Sequence, residues 1–138
     1  MNTHHGDTEA RSNKGLLEEA LTESIIAAAI EVHRELGPGL LESVYEECLA
    51  DELRRLDVPF RAQVEVPVVY KGHQIDSVYR IDLIVAEAVV VELKSVERIL
   101  PVHEAQLLTY MKLTGKHVGL LINFNVAVLT RGVVRRVL

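Results

Sequence analysis

The run Val89-Val90-Val91-Glu92-Leu93-Lys94-Ser95-Val96 limits what this chain can fold into more than any other stretch. Three consecutive valines read as a buried β-strand. An acid and an amine follow two positions apart. Side chains in a strand alternate faces, so Glu92 and Lys94 point the same way. Removing an ionised group from water is costly unless it is paired or binds a metal. A fold has no need of that arrangement, whereas a functional site does.

A second run, Tyr79-Arg80-Ile81-Asp82-Leu83-Ile84-Val85, is apolar with one acid inside it. A hairpin of the two runs centred on Glu87 makes Asp82 face Glu92, with Cβ atoms about 4.5–5.5 Å apart. Two carboxylates that close repel unless a cation lies between them, and hard divalent ions such as Mg²⁺ take such oxygen ligands. The connection Ala86-Glu87-Ala88 lacks the Gly, Asn or Asp of a tight hairpin turn, and a one-residue slip would send the acids to opposite faces. Taken singly, each acid also reads as a strand residue paired with a neighbouring Lys or Arg.

The length of 138 residues suits a single domain. No run of about 18 apolar residues suggests a membrane span, and the polar start does not resemble a signal peptide. The one cysteine, Cys48, has no disulfide partner within the chain and reads as a small buried hydrophobe in a reducing, cytoplasmic setting. A net charge of −5 argues against gripping nucleic acid by bulk electrostatics. Any basic surface is therefore local.

Residues 1–15 are polar and read as a disordered tail, followed by one domain over 16–138. Leu21, Ile25, Ala28, Val32 and Leu36 form the apolar stripe of a first helix from Thr22, with Thr22 or Ser24 as its cap. Gly37-Pro38-Gly39 stops it. Leu41, Val44, Tyr45, Cys48, Leu49, Leu53 and Leu56 mark a second helix, with Glu42 in its first turn. Strands follow over Gln63–Tyr70, Ile75–Val85 and Val89–Val96, an antiparallel meander turning at Lys71-Gly72-His73-Gln74. Pro67 marks the first strand as an edge or bulged strand. Pro101 opens a third helix and Gly115 closes it, placing Gln106 and Tyr110 on one face. His117–Phe124 then forms a strand parallel to the third, a βαβ crossover. A further strand is expected over Val126–Thr130, before a basic end at Arg131, Arg135 and Arg136.

This α/β (α+β) order is two N-terminal helices, a three-strand meander, a helix and further strands. With Asp82 and Glu92-Leu93-Lys94 on adjacent strands, it resembles the restriction-endonuclease-like core of the PD-(D/E)XK nucleases, although Ile81 stands where that motif has proline. Gly39-Leu40-Leu41-Glu42-Ser43-Val44-Tyr45 resembles more closely the naming motif of the GxxExxY family of that superfamily. So do the surroundings of Val32–Gly39, Gln106–Tyr110 and Gly119–Phe124. Gln106 and Tyr110 also resemble the QxxxY motif of RecB-like and lambda-exonuclease-like nucleases, in which an acid from an early helix, here Glu42, joins the metal site.

The resemblance implies a nuclease that hydrolyses phosphodiester bonds of DNA or RNA with Mg²⁺, or Mn²⁺ as a substitute. Asp82 and Glu92 would hold the metal with the Leu93 carbonyl, and Glu42 would bind it directly or through water. Lys94 would orient water or offset developing charge, while Gln106 and Tyr110 would position the substrate or the Lys94 side of the site. The expected partner is nucleic acid, with no membrane, and a homodimer is one route to sequence specificity. The alternative is a catalytically silent nuclease-fold module that binds nucleic acid or a protein. A third reading is a structural subunit whose acids form an ion-pair network.

Overall fold

In the computed structural model the backbone is described for residues 3–138, and side chains for residue 15 and residues 18–138. The first helix, α1, spans Thr3–Leu36. The tail expected over 1–15 falls on its first turns, with Met1 and Asn2 outside the described residues. Thr22 and Ser24 are therefore not caps. Their hydroxyls donate to the Glu19 and Ala20 carbonyls at 2.9 and 3.1 Å, inside the helix.

Helix α2 covers Glu42–Arg55 and buries Tyr45, Leu49 and Leu53. Strands β1 (Phe60–Tyr70), β2 (His73–Val85) and β3 (Val89–Lys94) follow, then α3 (Pro101–Thr114) and β4 (Val118–Asn123). A 3₁₀ turn at Leu129–Gly132 leads into β5 (Val133–Val137). The sheet order is β1-β2-β3-β4-β5, antiparallel except for the β3–β4 pair. The meander and the parallel βαβ crossover are thus both present, and β1 is an edge strand, its register shifting between Pro67 and Val69. The first turn is tighter than expected: Tyr70 pairs with His73, so only Lys71 and Gly72 turn and His73-Gln74 is strand.

The expected strand over Val126–Thr130 does not form. β5 runs antiparallel to β4, with Ile122 facing Val133 and Val118 facing Val137. The chain must reverse between them, so residues 124–132 are the connection. Of the apolar run, Leu129 is buried in the core while Val128 stays exposed. His33 of α1 holds this connection, its Nε2 2.7 Å from the Val126 carbonyl. The basic end is not simply solvated either, because Arg136 pairs with Glu104 of α3.

Two apolar clusters sandwich the sheet. Ile25, Ala29 and Val32 of α1 and Tyr45, Leu49 and Leu53 of α2 pack on one face against Leu83, Val91, Leu93 and Leu120. Leu107, Tyr110 and Met111 of α3 cover the other, against Ile81, Val90 and Leu121. Cys48 is half-buried at the margin of the first cluster. Every β4 residue is buried, as expected for a central strand with helices on both faces. The site forms where β2 and β3 leave the centre of this sandwich.

Candidate active site

The expected register holds. Leu83 faces Val91, Ile84 faces Val90 and Val85 faces Val89, so Asp82 comes opposite Glu92. At that step side chains take over from the ladder. The Asp82 amide donates to Glu92 Oε1 at 2.9 Å, and the Leu93 amide donates to Asp82 Oδ2 at 2.8 Å. Each acid is clamped to the other's strand through one oxygen, leaving its second oxygen for another partner. Glu92 is only 6% exposed.

Burial, with the Asp82 charge beside it, pushes the Glu92 carboxyl up to about 8. Asp82 is raised as well, by burial and then by Glu42, while the Leu93 amide and Lys94 pull it back. Lys94 is half-buried at the end of β3 and its charge acts on both acids. At neutral pH the Glu92–Asp82 pair thus lacks enough positive charge to ionise fully. A positive charge placed beside the two acids would favour their ionised forms.

Glu42 arrives from the start of α2. Its Oε1 accepts from the Ser95 amide at 3.4 Å, and its charge raises both strand acids. The loop before it explains the Gly39–Tyr45 motif. Gly37 and Gly39 have φ of +69° and +97°, a region open to glycine at little cost. The Tyr45 hydroxyl donates to the Gly37 carbonyl at 2.6 Å and accepts from the Leu40 amide at 3.1 Å. The Tyr45 ring stacks on Phe124 with centroids 4.3 Å apart. The buried tyrosine thus fixes the turn from which Glu42 projects, and the Ser95 hydroxyl ties it to the end of β3 by donating to the Leu40 carbonyl at 2.6 Å.

Tyr110 is 5% exposed in the α3 cluster. Its hydroxyl is pushed up to about 12 by burial, then by the negative charge of Glu92. The Tyr110 ring lies 5.6 Å from that of Tyr79. Gln106, one turn earlier, is half-buried and makes no side-chain hydrogen bond among the described residues. The structure thus brings Asp82, Glu92, Lys94 and Glu42 to one end of the β2–β3 pair, and the charge of Glu92 acts on Tyr110.

Two neighbours escaped the sequence reading. Gln63 Nε2 lies 2.6 Å from Glu46 Oε1 and 3.5 Å from Asp82 Oδ1. Glu46 is raised by burial and also feels Asp82. Glu46 stands one turn after Glu42 on the same helix face, a spacing visible in the sequence. Nothing in the sequence marks Gln63. Among the described residues no three His, Cys, Asp or Glu side chains are grouped to hold a metal by themselves, and no helix is long and apolar enough to cross a membrane.

Comparison with known proteins adds one finding. The family model for the PD-(D/E)XK nuclease superfamily matches residues 19–137. No match is found among the curated proteins or the solved structures. The match takes in every site residue named above, and the mixed five-strand sheet flanked by helices has the architecture of a restriction-endonuclease-like core, so the chain belongs to the PD-(D/E)XK nuclease superfamily.

Proposed function

We propose that this chain is a metal-dependent nuclease of the GxxExxY kind, hydrolysing phosphodiester bonds of DNA or RNA, with Mg²⁺ as cofactor and Mn²⁺ as a substitute. The supporting observation is the buried Glu92 carboxyl facing Asp82, raised to about 8 by burial and by that neighbour. The donor set fits a hard cation. Mg²⁺ is usually held by one or two carboxylates, with waters and substrate phosphates completing its shell. Asp82 and Glu92 each keep one oxygen clear of the backbone clamp, and the Leu93 carbonyl and Glu42 are the further oxygen donors.

Bound there, the metal would lower the pKa of a water and polarise the phosphate. The protein side chains supply the rest. The backbone clamp on Asp82 and Glu92 fixes the free carboxylate oxygens in advance, so little reorganisation is needed when substrate arrives. Lys94, on the same face of β3 as Glu92, offsets charge that builds on the phosphoryl oxygens or orients the attacking water. Gln106 and Tyr110 position the substrate. In this reading the protein works in a reducing, cytoplasmic setting, with nucleic acid as its partner.

The test is cleavage of single- and double-stranded DNA and RNA with Mg²⁺ and with Mn²⁺, by wild type, Lys94→Ala and Glu92→Gln, alongside melting temperatures with and without metal. Metal-dependent cleavage lost in both variants, with melting preserved in Lys94→Ala, supports the reading. A second reading has one observation in its favour: both acids already have backbone partners, as a static network would. Binding of nucleic acid without cleavage under every metal condition would select that silent module.

A further inference from the structure

Strand β1 departs from regular geometry beside the site. Ala62 faces Leu83 and Val64 faces Ile81, but the step between them, where Gln63 comes opposite Asp82, drops out of the ladder. Gln63 has φ of +50°, in the left-handed region. A non-glycine residue held there costs about 1–2 kcal/mol, and such strain persists only where its surroundings enforce it. Here the outcome of the distortion is specific. One amide nitrogen is brought between Glu46 Oε1 at 2.6 Å and Asp82 Oδ1 at 3.5 Å. The two acids come from different elements, α2 and β2, and Gln63 is a neutral donor to both. A lysine there would cancel their charge; a glycine would relieve the backbone and leave nothing between them.

We infer that Gln63 is a positioning residue that holds Glu46 against Asp82, so that α2 contributes two carboxylates to the divalent-cation site, Glu46 as well as Glu42. This inference rests on the nuclease reading and adds to it a residue pair outside the D…ExK set. Glu42 and Glu46 are one helical turn apart, so both face β2 from the same side of α2. Glu42 is tied to Ser95 at the β3 end, and Glu46 to Gln63 at the β1 end. The competing account makes the distortion at Gln63 a bend of the edge strand alone, with a dispensable side chain.

The two accounts part on glycine. If only the bend matters, Gln63→Gly keeps wild-type cation affinity and gains stability by losing the left-handed cost. If the side chain matters, stability is kept or gained while affinity is lost. Partners that orient metal ligands are typically worth 10–100-fold in affinity. Wild type, Gln63→Gly, Gln63→Asn, Glu46→Gln and the Gln63→Gly/Glu46→Gln double variant are titrated with Mn²⁺ by calorimetry and followed by thermal melting. Asparagine tolerates the left-handed region but is one methylene too short for the bridge, so it serves as a second folded variant. Expected are a Mn²⁺ affinity about tenfold or more weaker in each single variant, melting of Gln63→Gly equal to or above wild type, and a double variant no weaker than the singles. Wild-type Mn²⁺ affinity in both Gln63 variants, or fully additive losses in the double variant, would overturn the inference and leave the nuclease reading intact. A wild-type protein that does not respond to Mn²⁺ would overturn both.

Discussion

From Leu83 to Val85, the β2–β3 hairpin is held by apolar residues facing Val91, Val90 and Val89, all fully buried. One residue further, the same two strands are held by carboxylates, Asp82 on the Leu93 amide and Glu92 on the Asp82 amide. The first arrangement gains from burial, at about 25 cal/mol per Å² of apolar surface. The second loses, because ionised groups leave water. A sheet selected for stability alone would continue the valines. The contrast teaches that the acidic end is maintained against the trend of the fold, as sites that serve chemistry commonly are.

The largest expected effect tests that cost directly. Without metal, Glu92 titrates near 8 in the folded chain against an ordinary value of 4.5. The folded state therefore binds a proton more tightly than the unfolded one. This contribution to stability is fully present below about pH 4.5 and is lost as pH rises through about 8, a change on the order of 5 kcal/mol. Melting of the metal-free wild type should fall across that window. In Glu92→Gln, whose amide oxygen can still accept from the Asp82 amide, this fall should largely vanish, leaving the variant the more stable of the two at pH 9. Mg²⁺ should raise wild-type melting above pH 7 and leave Glu92→Gln unmoved. Parallel pH profiles for the two proteins would mean that the two ends of the hairpin do not differ as argued.

Next in size is Lys94→Ala. Removing one charge-stabilising donor from a preorganised site lowers turnover by about 10²–10³-fold. Lys94 is half-buried and outside both apolar clusters, so melting should shift by no more than a few degrees. At the apolar end the pattern inverts. Leu83→Ala should cost about 2–5 kcal/mol of stability and, in the fraction that remains folded, leave the dependence of cleavage on Mg²⁺ concentration unchanged. Measured together by chemical denaturation and initial rates, the pair of variants should divide cleanly between rate and stability. Loss of both quantities in either variant would erase the distinction between the ends.

Much of this was legible in the sequence because strand periodicity is rigid. Once the valines define β3, the period of two fixes where Glu92 and Lys94 point, and the apolar run of β2 admits one register that keeps its core residues inside. Pro101 and Gly115 bound α3 by local backbone chemistry. What was not legible depends on contacts between distant segments. β5 reads Val133-Val134-Arg135-Arg136-Val137, with no alternation to mark it, and its place is set by pairing with β4 and by Glu104. Gln63 reaches Glu46 and Asp82 from a residue of β1 that turns left-handed, which no pattern of side chains announces.

The smallest effect belongs to the turn, where the sequence offered no turn residue at all. Ala86 and Glu87 both have positive φ, +51° and +53°. They are held there from outside: the Ala86 amide donates to the Pro59 carbonyl at 2.7 Å, and Arg61 grips Glu87 through two nitrogens at 2.6 and 3.0 Å. Replacing Ala86 by glycine removes a left-handed cost of about 1–2 kcal/mol. It also frees the unfolded backbone and strips a half-buried methyl from the edge of the first cluster. The net expectation is a gain below about 1 kcal/mol, or roughly 2–4 °C in melting temperature for a domain of this size, with cleavage unaffected. A fall in melting temperature would show that the methyl contact outweighs the strain. The turn end would then be held by apolar packing right to its tip, which would widen its contrast with the acidic end.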